Sequence, residues 1–231
     1  MAGLYKLTAL SRAIGTEKPA HNGGALLSLL CYNKGMGNTV GSTSTDFCNF
    51  LSKTEDAYIL GLWCADSYWW SSSVGLSNTD VDLIERFRKF LKRFFPESRI
   101  KSTQYHLFVN SRPLLREFVA GKKNVGKLKQ PQIIRAYFAG RFDGDGSIDK
   151  NLRNDCRIVY SDREETKTDK ILLRRIDINN VKIYHYKTAN TFCLYVSRYD
   201  VKKFLRNILP YSSKLQKLVL VPRRDLDFRE G

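Results

Sequence analysis

From Glu55 onward, the spacing of apolar and polar positions writes the same order of elements twice. Between Val81 and Phe95, the residues Leu83, Phe87, Phe90, Leu91 and Phe94 recur at helical spacing, while Arg86, Lys89 and Arg93 fall on another face. Asp80 stands where an N-cap is needed, and Pro96 stops the run. A helical pattern beginning at Glu55 and running through the Gly61 segment comes first; aromatic and β-branched residues from Tyr68 to Leu76 then read as strand. After Pro96 the pattern predicts strands over 99–102 and 105–110 and a helix from Pro113 to Val119, ending near Gly121. The second half restates this. A helix from Gln132 to Phe142 opens behind Pro131, strands follow over 147–152 and 156–161, then a helix over 169–175, strands over 181–187 and 192–198, and a helix over 200–208. The implied fold is α+β: two αββαββα half-domains, residues 55–129 and 130–231, related by a pseudo-twofold axis, behind an arm of residues 1–54 rich in Gly, Ser, Thr and Asn.

Alternation within the last strands separates two faces. Val181 and Ile183 share one side and Lys182, Tyr184 and Tyr186 the other; Phe192, Leu194 and Val196 oppose Cys193, Tyr195 and Ser197. A half-solvated sheet would show the same pattern, so charge decides what the polar face is for. The 231 residues carry 39 Lys plus Arg against 23 Asp plus Glu, a formal net charge of +16. By segment this is +2 over 1–55, +6 over 56–129 and +8 over 130–231, so the excess belongs to the folded body. A polyanionic partner follows, and nucleic acid is the first candidate. On that reading Lys101, Gln104, Arg157, Lys182, Tyr184, Tyr186 and Arg198, on or beside strands, face DNA as a ribbon laid in the major groove.

Other classes are disfavoured. No apolar stretch approaches the length of a membrane span, and the polar leader is a poor secretion signal. Five cysteines without C-x-x-C spacing suggest neither zinc nor a disulfide framework, which fits a reducing compartment; the three scattered histidines lack ligand spacing and receive no role. No phosphate-cradling P-loop is present. Trp63, Trp69, Trp70 and Phe142 are expected in the core, and the basic run Arg86, Arg88, Lys89, Lys92 and Arg93 on a solvated helix face.

Candidate chemistry lies in an echo across 79 positions: Ile-Leu-Gly-Leu-Trp-Cys-Ala-Asp-Ser from Ile59 and Phe-Ala-Gly-Arg-Phe-Asp-Gly-Asp-Gly from Phe138. Helices packed through Gly61 and Ala65 against Gly140 and Gly144 would approach closely and bring Asp66 and Asp145 together at their ends. Two such carboxylates repel without a cation between them, so the arrangement suits Mg²⁺ or another divalent ion. Taken singly, Asp143-Gly-Asp145-Gly146 reads as a turn; an EF-hand is disfavoured because Ile148 and Asn154 occupy positions that need Gly and an acid.

The paired segments, with the αββαββα order behind each, resemble the single-chain LAGLIDADG homing endonucleases over residues 56 to about 220. That resemblance implies two saddle-shaped antiparallel sheets astride DNA, with Asp66 and Asp145 as catalytic metal ligands beside the carbonyls of Ala65 and Gly144. It further implies Mg²⁺-dependent hydrolysis of both strands at a specific site, leaving short 3′ overhangs, by a monomer in an intron-homing setting. Asn78, Arg163 and Lys167 are candidates for the site's periphery. Departures are Ser67 for the final glycine, Cys64 for an acid, and Arg141 where the family keeps an apolar residue. The alternative within the same fold is a non-cleaving binder, an RNA maturase acting on intron RNA or a DNA-binding regulator. Either belongs in a prokaryotic cytoplasm or in the organelle that encodes it, with no membrane partner.

Overall fold

A computed structural model describes residues 49–148 and 155–220. The first half runs α1 (Thr54–Asp66), β1 (Ser67–Tyr68), β2 (Ser73–Ser77), α2 (Val81–Lys92), β3 (Lys101–Ser102), β4 (His106–Asn110) and α3 (Arg112–Asn124). The second repeats it as α4 (Pro131–Asp145), β5 (Gly146–Ile148), β6 (Cys156–Tyr160), α5 (Arg163–Arg174), β7 (Val181–Tyr186), β8 (Thr191–Val196) and α6 (Arg198–Ile208), then adds α7 (Ser213–Leu220). Each half builds one antiparallel four-stranded sheet, ordered β1-β2-β4-β3 and β5-β6-β8-β7. Most of the arm expected over 1–54, and the part of the β5 strand expected beyond Ile148, lie outside the described residues. Phe50 already belongs to the first half, packed on Phe118 with ring centroids 4.7 Å apart.

Local chemistry explains the boundaries. Asp80 caps α2 by accepting from the N–H of Asp82 at 2.9 Å and of Leu83 at 3.4 Å. Asp162 does the same for α5 through Glu165 N–H at 2.7 Å, so that helix starts at Arg163 and not at Asp169; its polar first turns hide the start from a periodicity reading. Pro113 sits in the first turn of α3, where its missing N–H costs nothing.

The helix-facing side of each sheet supplies the core. Val74, Leu76, Leu107 and Val109 are fully buried in the first half, and Ile158, Leu194 and Val196 in the second. Phe118 is a hub, with Trp63, Phe90 and Phe87 at 5.0, 5.7 and 6.2 Å, and truncating such a ring costs about 3–5 kcal/mol. The basic run on α2 is not simply a solvated face: Arg88 pairs with Glu85 and Glu97 and Lys92 with Glu97, whereas Arg86, paired with Glu55, lies over the buried Tyr58 ring and Arg93 pairs with the buried Asp56.

Helices α1 and α4 are unlike the rest, being buried almost all round, and they join the two halves. A Cβ added at Gly61 would lie 2.0 Å from the Tyr137 carbonyl oxygen, and one at Gly140 would lie 2.0 Å from that of Tyr58. Backbone therefore touches backbone, which only glycine permits at these two positions. One turn further on, a Cβ at Gly144 would meet that of Ala65 at 2.4 Å. Among the described residues no helix is long and apolar enough to cross a membrane.

Candidate active site

Because α1 and α4 pack so closely, they also end together. Asp66 and Asp145 are their last residues, both half-buried, and a Cβ on Gly144 would come within 2.8 Å of Asp66 Oδ2. Burial pushes the Asp145 carboxyl up to about 7, and the neighbouring Asp66 charge pushes it the same way. Asp66 is also raised by burial, opposed by Asn78, Lys214 and Arg141. Asn78 Nδ2 donates to Asp66 Oδ2 at 2.7 Å and fixes that carboxylate. The last carbonyls of a helix have no partner within it, so each acid stands at an end where backbone oxygens are turned outward.

A basic side chain reaches this point from far along the chain. Lys214 Nζ donates to the Gly146 carbonyl at 2.6 Å and lies 5.5 Å from the centroid of the Phe142 ring. It opposes the rise of both acids. The residue that brings it there is Asp143, buried within α4. Its carboxylate accepts from Tyr58 Oη at 2.6 Å, from Ser212 Oγ, and from the N–H groups of Ser213 and Lys214 at 2.7 and 3.4 Å. Asp143 thus ties the start of α7 to both central helices. The tetrapeptide Asp143–Gly146 is accordingly neither a calcium loop nor a free turn; it is the last turn of α4 and its cap. Two further ties hold the same segment to the first half. Arg86 donates to the Tyr211 carbonyl at 2.7 Å and to Ser213 Oγ at 3.0 Å, and Lys217 pairs with Asp80 and Asp82.

Arg163 and Lys167 are not drawn into this group. Lys167 pairs with Glu164 at 2.7 Å on the exposed side of α5, and neither residue has a hydrogen bond or ion pair to Asp66 or Asp145 among those of the described residues. The unexpected Arg141 is buried and paired. Its Nη2 donates to Glu165 Oε1 at 2.8 Å, its Nε lies 3.4 Å from Asp169 Oδ2, and Asp169 also accepts from Tyr137 and Tyr160.

The outward faces of the two sheets carry different groups. In the second sheet Arg157, Tyr195 and Lys182 are in register, as are Val159, Cys193 and Tyr184, with Tyr186 opposite Thr191. Tyr184 meets Tyr195 edge-on at 5.6 Å. In the first sheet Lys101, Phe108, Gly75 and Tyr68 form the corresponding row, and the missing side chain of Gly75 lets Tyr68 reach Phe108 at 4.9 Å. Gln104 is exposed in the β3–β4 turn. Strand β8 ends at Val196, so Arg198 opens α6 and donates to Tyr199 Oη at 3.0 Å; it does not extend the strand face as expected. Trp63 and Phe142 are buried as expected, but Trp69 and Trp70 are 66% and 73% exposed.

The family model described as a LAGLIDADG-like domain matches twice, over residues 53–127 and 132–209. The chain belongs to the LAGLIDADG-like family. Its fold is similar to that of I-DmoI in complex with DNA and Ca, with a TM-score of 0.59 and 20% identity over 72% of this chain and 97% of that one. The homing endonuclease I-WcaI bound to its DNA recognition sequence gives 0.53 and 17% over 79% and 95%. The N-terminal LAGLIDADG domain of DUF199/WhiA gives 0.53 and 17% over 71% and 84%. No curated protein matches. Lys214 and α7 lie beyond the matched residues of the family model.

Proposed function

We propose that this chain is a site-specific DNA endonuclease of the homing type, acting as a monomer on both strands of a duplex with a divalent cation. The observation that carries this reading is the meeting of Asp66 and Asp145, one from each half, at the ends of two helices in backbone contact. Adjoining half-buried carboxylates whose protonation is favoured by burial and mutual charge are what a hard cation relieves. Among the described residues no group of three His, Cys, Asp or Glu surrounds them. The remaining ligands would be the Ala65 and Gly144 carbonyls, water and phosphate oxygens of the substrate, a donor set suited to Mg²⁺. Structures of I-DmoI with DNA contain Mn or Ca, and one was obtained in the presence of Mg, which supports the same chemistry here.

When bound, the cation would polarise the phosphodiester and lower the pKa of attacking water. This chain's own residues hold the acids: Asn78 fixes Asp66, and the Gly61–Gly140 contact sets their separation. Lys214 brings positive charge to the edge of the pair, where a phosphate would accumulate charge in the transition state. Arg157, Lys182, Tyr184 and Tyr186, on one sheet face, would meet the duplex, with Lys101 and Gln104 contributing from the other half.

In-vitro selection of cut sites from a randomised duplex library with Mg²⁺ tests the reading. Wild type should yield defined double-strand breaks with short 3′ overhangs, and Asp66→Asn or Asp145→Asn should each reduce cleavage at least about 10³-fold while leaving salt-dependent binding intact. Binding without cutting by wild type and variants alike would instead assign the chain to the maturase or regulator class.

A further inference from the structure

The exposed pair Trp69 and Trp70 has no place in the site just described. Both indoles stand in the β1–β2 turn, at 66% and 73% exposure, beyond Tyr68 on the outward face of the first sheet. An aromatic ring turned to water forgoes the burial that normally stabilises it, and two in succession form an apolar patch on a strongly basic protein. The turn beneath them is nevertheless firmly built. Ser73 N–H donates to the Trp70 carbonyl at 2.8 Å across Ser71, which takes a left-handed φ of 56°, and Ser111 N–H donates to the Ser72 carbonyl at 2.9 Å. Ser73 Oγ adds a 2.7 Å bond to Asn110 Oδ1. A non-glycine residue held at positive φ is strained, and such strain persists where surrounding bonds over-determine it.

The same ties bring positive charge to the turn. Arg112 follows Ser111 directly, and Arg99 Nη2 donates to the Asn110 carbonyl at 3.3 Å; both arginines are exposed. The sheet end thus carries two exposed indoles and, on segments hydrogen-bonded to the same strands, two exposed arginines, a combination of stacking surface and phosphate contact that suits nucleic acid. The second half has no counterpart in sequence. The connection after β5, Asp149-Lys-Asn-Leu-Arg-Asn154, contains no aromatic residue.

We infer that Trp69 and Trp70, with Arg99 and Arg112, form a contact on duplex DNA within the half-site read by the first half, the indoles stacking on or wedging between base pairs. The inference rests on the proposed endonuclease function. It makes recognition lopsided: one half-site is read with aromatic contact and shape, the other without it.

The test is selection by binding from a randomised duplex library, in Ca²⁺, with wild type and W69A/W70A, followed by titration of the enriched duplex. Of the three tryptophans, Trp63 is buried, so the emission change on binding reports on the exposed pair, and the emission of Trp63 confirms that the double variant is folded. Wild type should show quenching on the duplex. The double variant should bind at least about tenfold more weakly and lose sequence preference in one half of the site only. Its dependence of log K on log salt should be unchanged, because no charge is removed, whereas R99A/R112A should flatten that slope by about 2. A wild-type chain that enriches no duplex overturns the proposed function and this inference with it. Enrichment by wild type, matched by W69A/W70A in affinity and in preference across both halves of the site, overturns this inference alone.

Discussion

The two halves share a backbone and disagree in chemistry, most plainly beneath the paired helices. When the N-caps Asp80 and Asp162 are aligned, the positions of Leu83 and Phe87 on α2 correspond to Glu165 and Asp169 on α5; on the central helices Leu62 corresponds to Arg141. Three buried apolar residues in one half are thus replaced by a buried ionic group in the other, with Arg141 1% exposed and Asp169 fully buried. Either solution fills the space. An ion pair removed from water gives little net stability over an apolar set of similar volume, so drift between the two is tolerated provided the whole group changes together. What duplication has kept is what backbone contact and the acids demand: Gly61 with Gly140, and Asp66 with Asp145.

This comparison can be broken at several points. The largest effect should come from Gly61→Leu or Gly140→Leu. Each drives a side chain into a carbonyl 2.0 Å from its Cβ, and each should lower stability by more than about 4 kcal/mol in denaturant titration, equally in the two halves. Next is Arg141→Leu, which leaves Glu165 and Asp169 without their buried cation. A loss of about 3–5 kcal/mol is expected, with only part of it recovered when Glu165→Leu and Asp169→Phe copy the first half, because the buried Tyr137 and Tyr160 hydroxyls then lack their acceptor; recovery absent from the triple variant would show that the two solutions are not interchangeable.

A smaller effect distinguishes the acids. Asp145 has its folded-state value raised above that of the unfolded chain, so its contribution to stability is present at low pH and is lost as pH rises from about 4 through about 7. Without divalent ions, wild type should therefore lose about 1–2 kcal/mol between pH 5 and 8 relative to Asp145→Asn, a figure reduced for the half-exposed setting. Mg²⁺ should restore that loss at pH 8 and do little at pH 5, as thermal melts would read. Asn78→Ala should have the least consequence: Asp66 loses the bond that favours its charged form, and cation affinity should fall about threefold to tenfold in calorimetric titration.

Much of this was legible in the sequence where local rules govern. The stripe on α2 and its Asp80 cap, the order of elements, and the repeated small residues before each aspartate all announce themselves at short range. Features made by tertiary approach did not. Lys214 bonds to a carbonyl 68 residues earlier, and α7 is too short for its periodicity to stand out. The expectation for Trp69 and Trp70 failed because hydrophobicity predicts burial for any indole, and only the turn geometry carries these two outward. Charge and place in the chain point to Lys167, but an acid three residues before it on the same helix pairs with it.

The attachment of α7 through Asp143 also bears on synthesis. A polypeptide that has emerged only as far as residue 208 already contains both acids, both central helices and both sheets. It lacks Ser212, Ser213 and Lys214, so Asp143 has only the Tyr58 hydroxyl of its four donors and no amine stands beside the carboxylate pair. Until residues 212–214 have left the ribosome, the carboxylate pair therefore lacks both the clasp on Asp143 and the amine at its edge.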